Sequence, residues 1–171
     1  MIYIDIDGVL ADSDGYLKSL NAKALDDTHL LFKTIYKNYN NVFRYSKPLI
    51  DLNELKELEQ FTLLSALPNK SNIDSFTEDG ENVDAIMTTL EENKKFWIAE
   101  NIGECNYKIV NGGAEKSKFC QSPDDILIDD SSSNGKKWQA KGGKWYPSFE
   151  AFKKASIKVK NTKTLEKAEL W

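Results

Sequence analysis

Ile2-Tyr3-Ile4-Asp5-Ile6-Asp7-Gly8-Val9-Leu10-Ala11-Asp12 is the stretch on which the reading of this chain turns. Tyr3, Ile4 and Ile6 make a short apolar run, and β-branched and aromatic side chains favour a strand. Asp5 and Asp7 stand two apart at the end of that run, and Gly8 interrupts it. Residues two apart in a strand share a face, so a bend at Gly8 brings both carboxylates toward one point. Two acids held together do not both ionise cheaply unless a cation joins them. Paired oxygen ligands suit Mg²⁺, commonly held by one or two carboxylates together with substrate phosphate.

Outward from this strand, residues 16–60 read as helical, in two or three helices with no strand. Leu17, Leu20 and Ala24 fall on one helical face, and Leu31, Ile35 and Tyr39 recur every four residues with Phe32 and Tyr36 beside them. Pro48 is suited to start a further helix with Leu49, Leu52, Leu55 and Leu58 as its stripe. Residues 61–65 read as a buried second strand that stops before Pro68, and 69–82 as a polar loop. A helix is predicted over 83–102, packed through Ile86, Leu90 and Trp97 and closed by Gly103.

Tyr107–Val110 is the third predicted strand, 115–121 a short helix, and Ile126–Ile128 a fourth strand ending at Asp129-Asp130. A helix from about Ser133 to Ala140 closes at Gly142-Gly143, Trp145 lies in a short fifth strand, and 148–156 form a last helix. The Lys-rich tail beyond it carries no functional reading. Alternating strands and helices argue for an α/β fold with a parallel sheet covered on both faces. Ligands in such sheets bind at the carboxyl ends of the strands. Asp5, Asp7, Ser65, Asp129 and Asp130 all fall at predicted strand C-termini.

Composition narrows the chemistry. With 171 residues, 40% hydrophobic and 29% charged, the chain can bury a real core as about one domain with a small insertion. It has no run of 18 or more apolar residues, so no membrane span is expected. No basic segment followed by a long apolar stretch marks a secretory signal. Cys105 and Cys120 match no metal spacing and fit free thiols in a cytoplasmic protein. The net charge of −4 argues against stable nucleic-acid binding. His29 and Arg44 are the lone residues of their types. That leaves no basis for histidine-based phosphoryl transfer, and neither Cys has an arginine cradle. His29 reads as a partly exposed helix residue.

The string Asp5-Ile-Asp7-Gly-Val-Leu-Ala-Asp12 after an apolar strand resembles the first motif of the haloacid dehalogenase-like (HAD) phosphatases. The resemblance extends in order to Ser65 at the end of the second strand, to a lysine before the acidic strand, and to Ile126-Leu-Ile-Asp-Asp130. It implies a HAD-like Rossmannoid three-layer parallel sheet, with a core of residues 1–13 and 61–171 and a small helical cap, 14–60, inserted after the first strand. It further implies that Asp5 attacks phosphorus to form an aspartyl-phosphate, that Asp7 is general acid and base, and that Ser65 binds the phosphate. Lys116 and Lys118 both qualify as the phosphate-binding lysine. Lys116 is preferred because it lies nearer the start of its helix. The implied Mg²⁺ ligands are an Asp5 carboxylate oxygen, the Asp7 backbone carbonyl and one acid of the 129–130 pair. Asp130 is preferred, because the family usually places its metal-binding Asp second.

Within the superfamily the pattern looks like the 5′(3′)-deoxyribonucleotidases and their small phage and bacterial relatives. The opening motif, Leu-Ile-Asp-Asp, the helical insert and the later Asn134, Trp138 and Gly142-Gly143 carry that likeness. The expected substrate is a small phosphomonoester, a deoxynucleoside monophosphate, with Phe32, Tyr36, Phe43 and Tyr45 of the cap as candidates for a stacking surface. Trp138 is expected in the core. The alternatives are a polynucleotide 3′-phosphatase of the end-healing type, which wants an open basic groove, and a catalytically idle relative used for binding.

Overall fold

The computed structural model describes residues 1–157. The Lys-rich tail lies outside them. Five strands form one all-parallel sheet: β1 (Ile2–Ile4), β2 (Phe61–Leu67), β3 (Tyr107–Asn111), β4 (Ile126–Ile128) and β5 (Lys144–Tyr146). Their spatial order is β3-β2-β1-β4-β5. The chain therefore builds outward from β1 through β2 to β3, then crosses back to lay β4 on the other side of β1. That reversal makes the β1/β4 junction the topological switch point, where a crevice opens at the carboxyl ends of the strands. The register aligns Ile4 with Leu63 on one side and with Ile128 on the other, so Asp5 and Asp129 leave the sheet at the same level.

Alternation along the strands splits the core into two layers. Ile4, Leu63 and Ile128 pack with Trp97, Ile98, Phe149 and Phe152. Leu64 and Leu127 pack with Trp138 on the other face, together with Tyr3, Phe119 and Trp145. The helices behind these layers are α4 (Val83–Asn101), a closing helix at 149–157, and α5 (Ser132–Ala140), preceded by the 3-10 segment Gly113–Phe119. The result is a Rossmann-like three-layer α/β fold. Trp138 is fully buried, as expected, and donates its indole N–H to the Asp125 carbonyl.

The insert after β1 contains α1 (Ser13–Leu20) and α2 (Thr28–Lys37). Asp12 and Asp27 cap them by accepting from the backbone N–H of Gly15 and Leu30. Their apolar residues do not make a separate core. Leu17, Ala24, Ile35, Val42 and Phe43 bury together with Leu67 at the end of β2, with Ile73, and with Ile86, Met87 and Leu90 of α4.

The helix expected from Pro48 is replaced by a bridge at Pro48 and a 3-10 turn at Leu52–Glu57, capped by Asp51. Leu49 is left exposed. Ala11 pairs with Pro48, and this anchors the return limb of the insert in extended form. Within 69–82, read as loop, Lys70–Asp74 form the short helix α3. Ile73 is its buried anchor. Among the described residues no helix is long and apolar enough to cross a membrane.

Candidate active site

Asp5 follows β1 and is still tied to the sheet, its N–H donating to the Ile128 carbonyl at 2.8 Å. The chain then tightens into a single turn. The N–H groups of Leu10 and Ala11 both donate to the Ile6 carbonyl, at 2.9 and 2.8 Å, and Gly8 N–H donates to Ala11. Gly8 has φ +71°, and a Cβ built there would overlap the Asp130 carboxylate. Glycine is therefore required twice, by backbone conformation and by the close approach of an acid. The bend read from the sequence is present.

Around Asp5 the charges form a closed network. Its Oδ1 accepts from the Ile6 N–H at 2.7 Å, and its Oδ2 pairs with Lys116 Nζ at 2.5 Å. Lys116, fully buried, also pairs with Asp129 Oδ2 at 2.7 Å. Asp129 is oriented further by the Ser131 N–H at 2.9 Å and by the Asn134 side-chain amide. Lys118 lies outside this network and pairs with Glu115 on the surface.

Burial pushes the Asp5 carboxyl up to about 7, against the pull of Lys116, with Asp129 and Asp7 adding repulsion. Lys116 is itself held above the ordinary lysine range. Burial alone would lower it, but Asp5 and Asp129 outweigh burial. Asp130 opens to solvent beside them. Desolvation where its carboxylate packs over Gly8, and then the Asp129 charge, push it up to about 6. Asp5, Asp129 and Asp130 offer carboxylate oxygens within 4.8 Å of one another, an arrangement able to hold a metal ion.

Asp7 has a separate set of partners. Ser13 donates to its Oδ1 at 2.5 Å, and Ser65 donates to its Oδ2 at 3.2 Å. Lys94 Nζ pairs with that same Oδ2 and also reaches Ser65 Oγ at 3.0 Å. Burial works to raise the Asp7 carboxyl, but the Lys94 charge and hydrogen bond, with Ser13, bring it below the usual carboxylate range. The structure thus brings Asp5, Asp7, Ser65, Lys116, Asp129 and Asp130 to one end of the sheet. Ser65 sits within β2 rather than at its end, because the strand continues to Leu67.

Lys94 and Ser13 are the members that sequence reasoning missed. A signal for Lys94 was present: it follows Leu90 by four and precedes Trp97 by three, on the apolar face of α4.

A cavity of about 350 Å³ joins these groups to the insert. Asp5, Asp7 and Lys116 line one side, and Leu31, Phe32, Ile35 and Phe43 the other, with Asn69 and Asn72 between them. Of the four aromatics expected as a stacking surface, Phe32 and Phe43 line it. Tyr36 instead donates its hydroxyl to Glu81 and stacks on Phe76, while Tyr45 is 56% exposed. Arg44 is also elsewhere, its guanidinium 3.7 Å above the Phe96 ring. His29 is exposed on α2, edge-on to Phe76. A larger hollow of about 740 Å³ lies at the opposite, amino end of the strands, by Phe61 and the end of α4. It gathers no comparable cluster of buried charged groups. Comparison with protein-family models, with curated proteins and with solved structures returned no match.

Proposed function

We propose that this chain is a Mg²⁺-dependent phosphomonoesterase working through an aspartyl-phosphate on Asp5, as its resemblance to the HAD phosphatases implies. The observation that carries the reading is the buried network Asp5–Lys116–Asp129, with Asp130 beside it, at the β1/β4 switch point. Like-charged carboxylates gathered in a crevice on hard oxygen donors fit a divalent cation. The raised proton affinities of Asp5 and Asp130 mark the positive charge the cluster lacks. Asp5 and Asp130 would hold the ion with the Asp7 carbonyl, and Asp129 would orient Lys116. When bound, Mg²⁺ supplies charge that keeps Asp5 ionised and offsets repulsion between carboxylates and phosphate.

The chain's own residues account for the rest. Lys116 steadies the Asp5 carboxylate for attack on phosphorus, and the buried Ser65 hydroxyl, which donates to Asp7 in the resting site, would turn from Asp7 to donate to a phosphate oxygen. The leaving oxygen departs with its bonding electrons and takes a proton from Asp7. The Asp7 carboxylate then accepts a proton from the water that attacks the aspartyl-phosphate, which frees Asp5 and releases phosphate. Lys94 and Ser13 hold Asp7 ionised in the resting site. An arriving phosphate adds negative charge beside Asp7 and raises its proton affinity, so that Asp7 takes up from solvent the proton it then gives to the leaving oxygen.

The finer reading is a 5′(3′)-deoxyribonucleotidase. A cavity of about 350 Å³, roofed by Phe32 and Phe43, supports a small substrate with an apolar, stackable group. Among the described residues that line the cavity, Asp5, Asp7 and Asp14 stand against Lys116, a balance that does not favour a strand of nucleic acid. The test is a hydrolysis screen over deoxynucleoside monophosphates, sugar phosphates and 3′-phosphorylated oligonucleotides, with Mg²⁺ and with EDTA. Mononucleotide hydrolysis that EDTA abolishes is the expected result. Full activity in chelator overturns the mechanism. Preference for the oligonucleotide replaces the nucleotidase with the end-healing phosphatase, and no hydrolysis of any substrate leaves a binding protein.

A further inference from the structure

We propose that Lys94 is a positioning residue that sets the Asp7 carboxyl for proton transfer to the leaving group; this rests on the phosphatase reading above. Lys94 belongs to α4, away from the opening motif, and its side chain is wholly withdrawn from solvent. A buried ammonium is costly unless it is paired and hydrogen-bonded. The helix stripe of Ile86, Leu90 and Trp97 would accept an apolar residue at this position without that cost.

What the ammonium obtains is a specific set of partners. It meets Asp7 Oδ2, lies 3.0 Å from Ser65 Oγ, and sits 4.1 Å from the centre of the Phe43 ring. With Ser13 on Oδ1, three side chains fix the plane of the Asp7 carboxylate from both oxygens. A carboxyl that must face the leaving oxygen, then a water, needs such restraint, because small displacements of a reacting group are costly. In direct contacts the two buried lysines divide the work: Lys116 pairs with Asp5 and Asp129, and Lys94 with Asp7, while each charge also reaches the other's carboxylate at longer range.

This division predicts which step suffers when Lys94 is changed. Attack by Asp5 leans on Lys116, which pairs with it directly, and should suffer less. Asp7 takes a proton more readily without Lys94, but it is no longer held toward the leaving oxygen, so delivery of that proton should suffer more. An alkyl phosphate needs that proton, whereas p-nitrophenyl phosphate releases an anion stable without it.

The experiment compares kcat/KM for dTMP and for p-nitrophenyl phosphate, with Mg²⁺, in the wild type and in Lys94→Met. The dTMP value should fall about 10-fold or more beyond any fall for the aryl ester, in keeping with the worth of one general acid. An equal fall for both esters overturns the proposal. The paired variant Asp7→Asn with Lys94→Met leaves no unpaired charge in the site, and serves if Lys94→Met does not fold. Against Asp7→Asn alone, it should keep p-nitrophenyl phosphate kcat/KM within about 10-fold. A larger loss means that Lys94 grips the phosphate itself and overturns the positioning role. A wild-type protein that hydrolyses neither ester overturns the phosphatase reading and this proposal with it; hydrolysis by the wild type with an unselective loss in the variants overturns this proposal alone.

Discussion

Replacing Asp5 by Asn should abolish turnover and at the same time make the protein more stable. The carboxylate is buried among Asp7 and Asp129, and its proton affinity is displaced from an ordinary 3.8 to about 7. At about 1.4 kcal/mol for each tenfold change in proton affinity, that interval amounts to roughly 4 kcal/mol against the ionised form in the fold. The sign follows from proton counting. Between the two values the folded state keeps the Asp5 proton and the unfolded chain has lost it. Stability is therefore greatest below 3.8 and is lost as pH rises through about 7.

An amide carries no charge at any of these pH values, so the variant escapes the loss. It gives part of the gain back, because Lys116 exchanges one of two carboxylate partners for a neutral oxygen. The net expected at pH 8 in EDTA is about 1–3 kcal/mol, a melting temperature higher by roughly 2–10 °C for a chain of this size. The gap should narrow as pH falls toward 5. It should also narrow when Mg²⁺ is added, because a ligand of the folded state stabilises the protein that binds it better. Thermal melts over this pH range, beside a phosphatase assay, make the test. A variant that melts below the wild type at pH 8 in EDTA, or a gap indifferent to pH, refutes the account of a strained acidic cluster. Near-wild-type turnover refutes Asp5 as nucleophile.

Gly8→Ala should cost about 1–3 kcal/mol from its left-handed backbone alone and displace Asp130, whose carboxylate occupies the space of the new methyl; a melt and a Mg²⁺ titration read both, and an unchanged metal requirement would remove Asp130 from the site. Asp130→Ala should raise the Mg²⁺ needed for half-maximal activity more than Asp129→Ala does, whereas Asp129→Ala should lose more stability, since Asp129 is fully buried on Lys116 and Asn134. The reverse order in both measurements would exchange the two roles. Phe32→Ala and Phe43→Ala should change the order of preference among deoxynucleoside monophosphates by up to about 1–3 kcal/mol per base, the worth of base–aromatic stacking in single-strand binders; Tyr45→Ala should not, because Tyr45 is exposed and does not line the cavity. A preference that follows Tyr45 instead would misplace the base.

The sheet was legible because its strands are short runs set between turn signals, two of them, β1 and β4, followed at once by acids. Each of the five lies where the pattern puts it, including Trp145 in the three-residue β5, although β2 runs past Ser65 to Leu67. What failed were local periodicities overruled by packing. Leu49, Leu52, Leu55 and Leu58 have helical spacing, but Pro48 pairs with Ala11 in a bridge, so the chain stays extended there and coils only from Leu52. Tyr36 sits with Phe32 in the helical pattern, yet its hydroxyl finds Glu81 in the polar segment before α4. The opening motif and the acidic pair were legible as neighbours because both end adjacent parallel strands. The choice between Lys116 and Lys118 needed the orientation of the 3-10 segment against the sheet: residues two apart face different directions, and here one lysine is buried while the other lies at the surface.

Lys94 is the instructive omission, because a lysine inside a helix reads as a solvated residue unless its neighbours on the same face are counted. Counting them gives more than one residue. Asn93 donates its side-chain amide to the Tyr39 carbonyl at 2.7 Å, and Trp97 donates its indole N–H to the Ser46 carbonyl at 2.7 Å. Lys94, between them, lies against Phe43 and Asp7. One stretch of α4 thus grips the return limb of the insert, residues 39–46, and the acid beneath it. Each hydrogen bond from a buried side chain leaves an unsatisfied partner if broken, at about 1–3 kcal/mol. Lifting this limb would break at least two such bonds and expose a buried ammonium. The wall formed by Phe43 is therefore fixed relative to Asp7.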